Sequence, residues 1–189
     1  MSVPSDVRLA LPAWAWEVEG AAEPLASVEA RMELVMRLVE RNIADGGGPF
    51  GAAVFDAQGR LVAPGVNRVV PDSAPIAHAE IVAIAAAGQR LGTWDLRSLG
   101  RFQLVTSTEP CAMCLGAVPW SGVVSLIIGA RDADARAVGF DEGHKPEGWV
   151  ESLADRGIEV VRDVHRDGVA DLLSRYATTG GPIYNGADE

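Results

Sequence analysis

"FQLVTSTEPCAMCLGAVPWSGVVSLIIG", Phe102–Gly129, contains both cysteines of a 189-residue chain and reads as strand, helix, strand. "FQLVTS" (102–107) is a short apolar and β-branched run. It leads into "PCAMCLGAVPW" (110–120), a helix with Pro110 near its first position, where the missing N–H is no loss. "VVSLIIG" (123–129) is almost unbroken apolar sequence of strand length, as expected of a strand covered on both faces. Two strands joined through a helix imply a parallel crossover, and that places the fold in the α/β class.

The flanking sequence extends this reading. From Ser27, a suitable N-cap, apolar residues recur at Val28, Met32, Val35, Met36, Val39 and Ile43 with helical spacing, and "DGGG" (45–48) ends the helix. "FGAAVF" (50–55), the turn "DAQG" (56–59) and "RLVAPGVNRVV" (60–70) predict a hairpin whose second strand is irregular at Pro64-Gly65. "PDSAP" (71–75) is a loop and "HAEIVAIAAAGQRL" (78–91) an Ala-rich helix. "EGWVESLADRG" (147–157) predicts a helix, "IEVVR" (158–162) a strand and "GVADLLSRYAT" (168–178) a last helix. The expected architecture is a three-layer α/β/α sandwich around a five-stranded mixed sheet. Residues 1–26 read as an N-terminal extension lying across the domain, 27–179 as the domain itself and 180–189 as a C-terminal tail. Trp14, Trp16, Trp94 and Trp149 are expected to pack, and His144 and His165 to lie at the surface.

Charge narrows the partners. The chain carries 26 acidic and 16 basic residues, a formal charge of −10, and Lys145 is its only lysine. With no Lys/Arg-rich run to displace counterions from phosphates, the balance favours a small or neutral substrate over nucleic acid. No apolar run approaches the roughly 18 residues needed to cross a membrane, and the N-terminus lacks the marks of a secretory signal, so the cytoplasm is expected.

Two thiols three residues apart close almost no loop, so they do not staple a fold. A redox pair, a metal clip and chance remain, and "AHAEI" (77–81) separates them. His78, Glu80, Pro110, Cys111 and Cys114 reproduce the H-x-E…P-C-x-x-C pattern of zinc deaminases, whereas a redox pair leaves His78 and Glu80 unexplained. Cys111 and Cys114, at i and i+3, share a helix face with β-carbons roughly 5–6 Å apart, within reach of one zinc. Both lie in the first turn, where the helix dipole favours thiolate. His78 and Glu80 open a second helix, so two facing N-termini supply three ligands and an unligated carboxylate. Three protein ligands and an open fourth position mark a catalytic rather than a structural zinc.

These residues resemble the cytidine deaminase superfamily and, more closely, the bacterial guanine deaminases. The resemblance runs from about Ser27 into the tail, through "GGPFGAAVF" (47–55), Asn67 of "VNRVV", "AHAEI", "EPCAMCLGAVPWSG" (109–122), "GFDEG" (139–143) and "IYN" (183–185). It implies one zinc per chain held by His78, Cys111 and Cys114, with Glu80 as proton shuttle. It further implies substrate contacts from Asn67, Phe50, Trp120, Ala79 and Tyr184, with Glu142 reading the substrate and helping to move protons. A homodimer and a tail that helps close the pocket are also implied. Guanine presents N1–H and its 2-amino group as adjacent donors, which suits an acceptor-only carboxylate; Glu142 and Asp141 both qualify. The implied activity is guanine to xanthine plus ammonia. Ammeline, guanosine and pterin-like rings share the donor pattern, and a tRNA adenosine deaminase or a non-catalytic zinc module are the more distant readings.

Overall fold

Ser27 starts the first helix as expected. Its backbone is extended and its Oγ accepts the Ala30 N–H at 3.2 Å, so an otherwise orphaned donor of α1 (Val28–Ala44) is satisfied. The computed structural model of the chain describes residues 9–185, so the parts of the extension and tail at 1–8 and 186–189 lie outside the described residues. Beyond α1 come β1 (Gly51–Asp56), β2 (Leu61–Val66), α2 (Ala79–Leu91), β3 (Phe102–Thr108), α3 (Ala112–Ser121), β4 (Ser125–Ala130), α4 (Asp132–Ala137), α5 (Trp149–Asp155), β5 (Glu159–Val161) and α6 (Arg166–Thr178).

The five strands lie in the order β2-β1-β3-β4-β5. β1 pairs antiparallel with both β2 and β3, whereas β3–β4 and β4–β5 are parallel, which makes the sheet mixed. Strand alternation divides the core in two. Ala53, Phe55, Val105 and Ile127 meet α1 and α6 on one face, and Ala52, Val54, Leu104, Leu126 and Ile128 meet α2, α3 and α5 on the other. The three-layer α/β/α sandwich around a five-stranded mixed sheet is therefore the observed architecture.

Local departures have local causes. β2 stops at Val66 rather than running to residue 70, because the Asn67 side chain accepts the Val69 N–H at 3.2 Å and turns the chain. The irregularity expected at Pro64-Gly65 falls instead at Val54/Phe55 of β1; Pro64 stays in register opposite Ala53, tolerated on an edge strand. Pro110 precedes the N-cap of α3 rather than opening it, and the cap is Cys111. The short α4 carries no apolar periodicity to announce it; the Asp134 carboxylate makes it by accepting the Arg131 N–H at 2.7 Å. Trp94, expected to pack, is instead 90% exposed among the described residues. The described part of the extension does lie on the domain: Ala15 is fully buried, and Trp14 Nε1 donates to Asp45 at 3.2 Å.

Candidate active site

Two helix N-termini converge where parallel strand β3 ends, the edge at which α/β sheets bind ligands. His78 is the N-cap of α2 and Cys111 the N-cap of α3, both with extended backbones and neither using its side chain as a cap. The imidazole and the thiol are thereby left free for other work. α2 reaches the site because Gly65 of β2 lets it approach: a Cβ there would overlap the Ala79 carbonyl and crowd Ala83. Ala79 and Glu80 follow His78 in the first turn, and Cys114 follows Cys111 by three residues.

The ligand atoms of His78, Cys111 and Cys114 all lie within 4.8 Å of one another, with Cys111 Sγ 3.5 Å from His78 Nδ1. One imidazole and two buried or half-buried sulfurs, arriving from two rigid helix ends, make a donor set that fits zinc and suits hard cations poorly. The electrostatics agree. The hydrogen bond from the Cys114 thiol, aided by His78, brings Cys111 down to about 4, while that same bond and burial push Cys114 up. The metal-free pair therefore shares one proton, which a cation would displace. Burial pulls His78 down most strongly, but its hydrogen bond to Cys111 and the charges of Glu80, Cys111 and Glu142 together raise it.

These groups open onto a cleft of about 590 Å³ lined by His78, Glu80, Cys111, Glu142, Phe50 and Tyr184, among others. Glu80 is raised from its ordinary value chiefly by burial and next by the Cys111 charge. Glu142, 6% exposed, is pushed up to about 8 by burial first and then by Cys111 and Glu80. Its neighbour Asp141 is otherwise committed: it is largely solvent-facing, caps the Gly143 N–H at 2.9 Å and pairs with Arg136.

Aromatic rings wall one side. Phe140 meets Phe50 edge-on at 4.8 Å and Tyr184 at 5.2 Å. Tyr184 arrives on a tail strapped to its own chain. Tyr176 Oη donates to the Pro182 carbonyl at 2.8 Å, and Asn185 bonds Asp141 N–H and the Gly139 carbonyl at 2.9 Å each. Gly48 makes room for it, since a Cβ at that position would overlap the Tyr184 hydroxyl. Three buried polar atoms in or beside the cleft, Asn67 Nδ2, Thr108 Oγ1 and Tyr184 Oη, have no hydrogen-bond partner among the described residues, a cost of about 1–3 kcal/mol each.

The structure thus brings together His78, Glu80, Cys111, Cys114, Glu142, Phe50 and Tyr184, with Asn67 buried at the neighbouring turn. Ala79 it does not bring to the cleft wall: as the first residue of α2 it turns its side chain into the core against the sheet and is fully buried there. Trp120 it does not bring: the residue lies at the far end of α3 from Cys111, is 84% exposed and is absent from the cleft wall. One supporting residue escaped the sequence reading. Asn42, fully buried on α1, donates through Nδ2 to the Gly48 and Asn67 carbonyls at 2.8 and 2.9 Å and so ties the glycine loop to the turn that carries Asn67. Its signal was a polar residue on the apolar face, three beyond Val39 and seven beyond Val35.

The model of the cytidine and deoxycytidylate deaminase zinc-binding region matches residues 26–130. The guanine deaminase of Bacillus subtilis (strain 168) is 42% identical over 96 residues, which are 51% of this chain and 59% of that relative's length. A solved structure of guanine deaminase from Nitrosomonas europaea is 45% identical, with a TM-score of 0.89, covering 94% of this chain and 100% of its own. A mutant protein solved in complex with 8-azaguanine is 46% identical, with a TM-score of 0.88 over 92% of this chain and 98% of its own. With its metal-ligand cluster and Glu80 inside the matched region, this chain belongs to the cytidine and deoxycytidylate deaminase family.

Proposed function

We propose that this protein hydrolyses guanine to xanthine and ammonia, with one zinc per chain held by His78, Cys111 and Cys114. The observation that carries the reading is a buried, unligated Glu80 in the same cleft as that cluster, with a second buried carboxyl, Glu142, on the cleft wall. The similarity to proteins named guanine deaminase, and to one holding 8-azaguanine, supports guanine as the base. When bound, zinc makes water acidic enough to act as a nucleophile near neutral pH.

The chain's own residues supply the rest. Glu80 takes a proton from the attacking water as its oxygen bonds to C2 and passes it to a ring nitrogen; it then takes the proton of the new C2 hydroxyl and delivers it to the 2-amino group, so that the C2–N bond breaks, ammonia leaves and a carbonyl remains. Its raised pKa suits a carboxyl that must hold a proton between these transfers. Glu142 accepts the N1–H and 2-amino donors. In the free cleft burial, then the Cys111 and Glu80 charges, push it up to about 8, and two substrate donors favour its carboxylate. Both carboxyls line the cleft, and the burial of Glu142, against the exposure of Asp141 and its pairing with Arg136, supports Glu142 as the reader. Asn67 Nδ2 donates to the purine edge, Phe50 packs against the ring, and the tail with Tyr184 closes the cleft of its own chain.

The test is ammonia release by zinc-loaded protein from guanine, guanosine, ammeline, a pterin, adenine and cytosine. Guanine is expected to have the highest kcat/KM. Glu142→Gln, which turns a donor toward donors, should lower that value about 100-fold. A zinc-loaded protein that leaves guanine intact while deaminating another member of the panel overturns the assignment.

The exposed aromatics bear on assembly. Trp94 and Trp120 line one apolar groove with Ile81, Ile84 and Ala117 of α2 and α3, a wet surface that pairing would cover. A homodimer through this face gives Trp120 a place that the monomer's cleft does not. Sedimentation should find a dimer for the wild type and a monomer for Trp94→Arg/Trp120→Arg; a monomeric wild type refutes the interface. Two free thiols serving as metal ligands fit the reducing cytoplasm, and no helix among the described residues is long and apolar enough to cross a membrane.

A further inference from the structure

The chain's only lysine reaches the peptide next to Cys111. Lys145, with its side chain 8% exposed, points its ammonium at three acceptors: Asp132 Oδ1 at 2.7 Å, Glu109 Oε1 at 2.8 Å and the Pro110 carbonyl at 3.1 Å. An ammonium has three N–H donors, so this one is fully used. The carboxylates have other partners, Arg162 on Glu109 at 2.8 Å and Arg136 on Asp132 at 2.5 Å. The Pro110 carbonyl is different, because it belongs to the peptide that immediately precedes Cys111.

The peptide on the other side of Cys111 is held from the same place. Ala112 N–H donates to the Glu142 carbonyl at 2.9 Å. Both peptides flanking the cysteine are thus gripped by residues 142–145, the loop that carries the Glu142 side chain into the cleft. Cys111 is an N-cap with no capping bond of its own, so its peptide planes must be set from outside the helix.

We infer that Lys145 is a positioning residue for the metal centre: by holding the Pro110–Cys111 peptide it aims the Cys111 sulfur at His78, and it makes metal retention depend on the 142–145 loop. Outer groups that orient metal ligands commonly govern affinity by about 10- to 100-fold. Charge alone does not explain the arrangement, since the carboxylates already have arginine partners. The inference needs the zinc site but not the identity of the substrate.

The experiment follows zinc release from loaded protein into excess coloured chelator, with circular dichroism and Tm confirming the fold. Lys145→Met should release zinc about tenfold faster or more. Lys145→Arg keeps the charge, but a planar fork does not reproduce three diverging bonds, so release should quicken by several fold. Arg162→Met removes a partner of Glu109 without touching Pro110 and should release zinc within about twofold of the wild-type rate, as expected if Pro110 rather than Glu109 pairing carries the effect. Wild-type release from both Lys145 variants, or release from Arg162→Met as fast as from Lys145→Met, overturns the inference. If Lys145→Met does not fold, equal rates for Lys145→Arg and Arg162→Met do the same.

Discussion

Glu80→Gln should lower kcat on guanine by about 100- to 10,000-fold while the protein keeps its zinc and its fold. The change is isosteric, and an amide neither takes a proton from water nor returns one to a ring nitrogen or a leaving amine. Glu80 is 7% exposed and sits two residues beyond the His78 cap, where the start of α2 holds it rigidly. Burial, and next the Cys111 charge, raise its pKa above the usual carboxylate value, in the direction that suits a group that both takes and returns a proton. Because Glu80 is not among the clustered ligand atoms, zinc content by atomic absorption should match the wild type. A variant with near-native kcat would assign proton transfer to another group, and Glu142 would be the next to examine.

Cys114→Ser should cost both metal and activity. Cys114 is fully buried in the first turn of α3, where its sulfur faces Cys111 and His78. A serine hydroxyl is harder and keeps its proton at neutral pH, so it is a poor replacement for thiolate. Sharing the roughly 10–16 kcal/mol of a four-ligand structural zinc site equally gives about 2.5–4 kcal/mol for one ligand, or affinity weaker on the order of 100- to 1000-fold. Protein passed through a chelating column should emerge without zinc and without ammonia release, while the wild type keeps both. Stoichiometric zinc retained by Cys114→Ser would show that the cluster is not the metal site.

The order of elements was legible because its causes are local. Ser27 caps its own helix, the apolar run at 123–129 has the length and density of a covered strand, and the helix between two strands dictates a parallel pair. The clustering of His78, Cys111 and Cys114 was legible for a similar reason: His78 caps one helix and the two cysteines lie three residues apart at the start of another, so spacing puts each group at a helix N-terminus. Where the reading went astray, the deciding contact was a side chain acting on a neighbouring backbone, as Asn67 does in ending β2 and Asp134 in making α4.

Contacts between distant segments followed no such rule. Nothing in "PWSG" told that Trp120 faces away from the cleft, since helix periodicity gives a direction only relative to its own axis. Glu142 was separable from Asp141 only once the loop's path was known, because burial of one and exposure of the other is a property of what packs around them. Lys145 against the Pro110 carbonyl, Asn42 beneath Gly48 and Tyr184 over its own chain's pocket join residues from 6 to 136 positions apart. Residue pattern encodes short-range backbone preference and the side each element buries. Which buried groups meet, and with what protonation, arises only when the layers close and water is removed from between them.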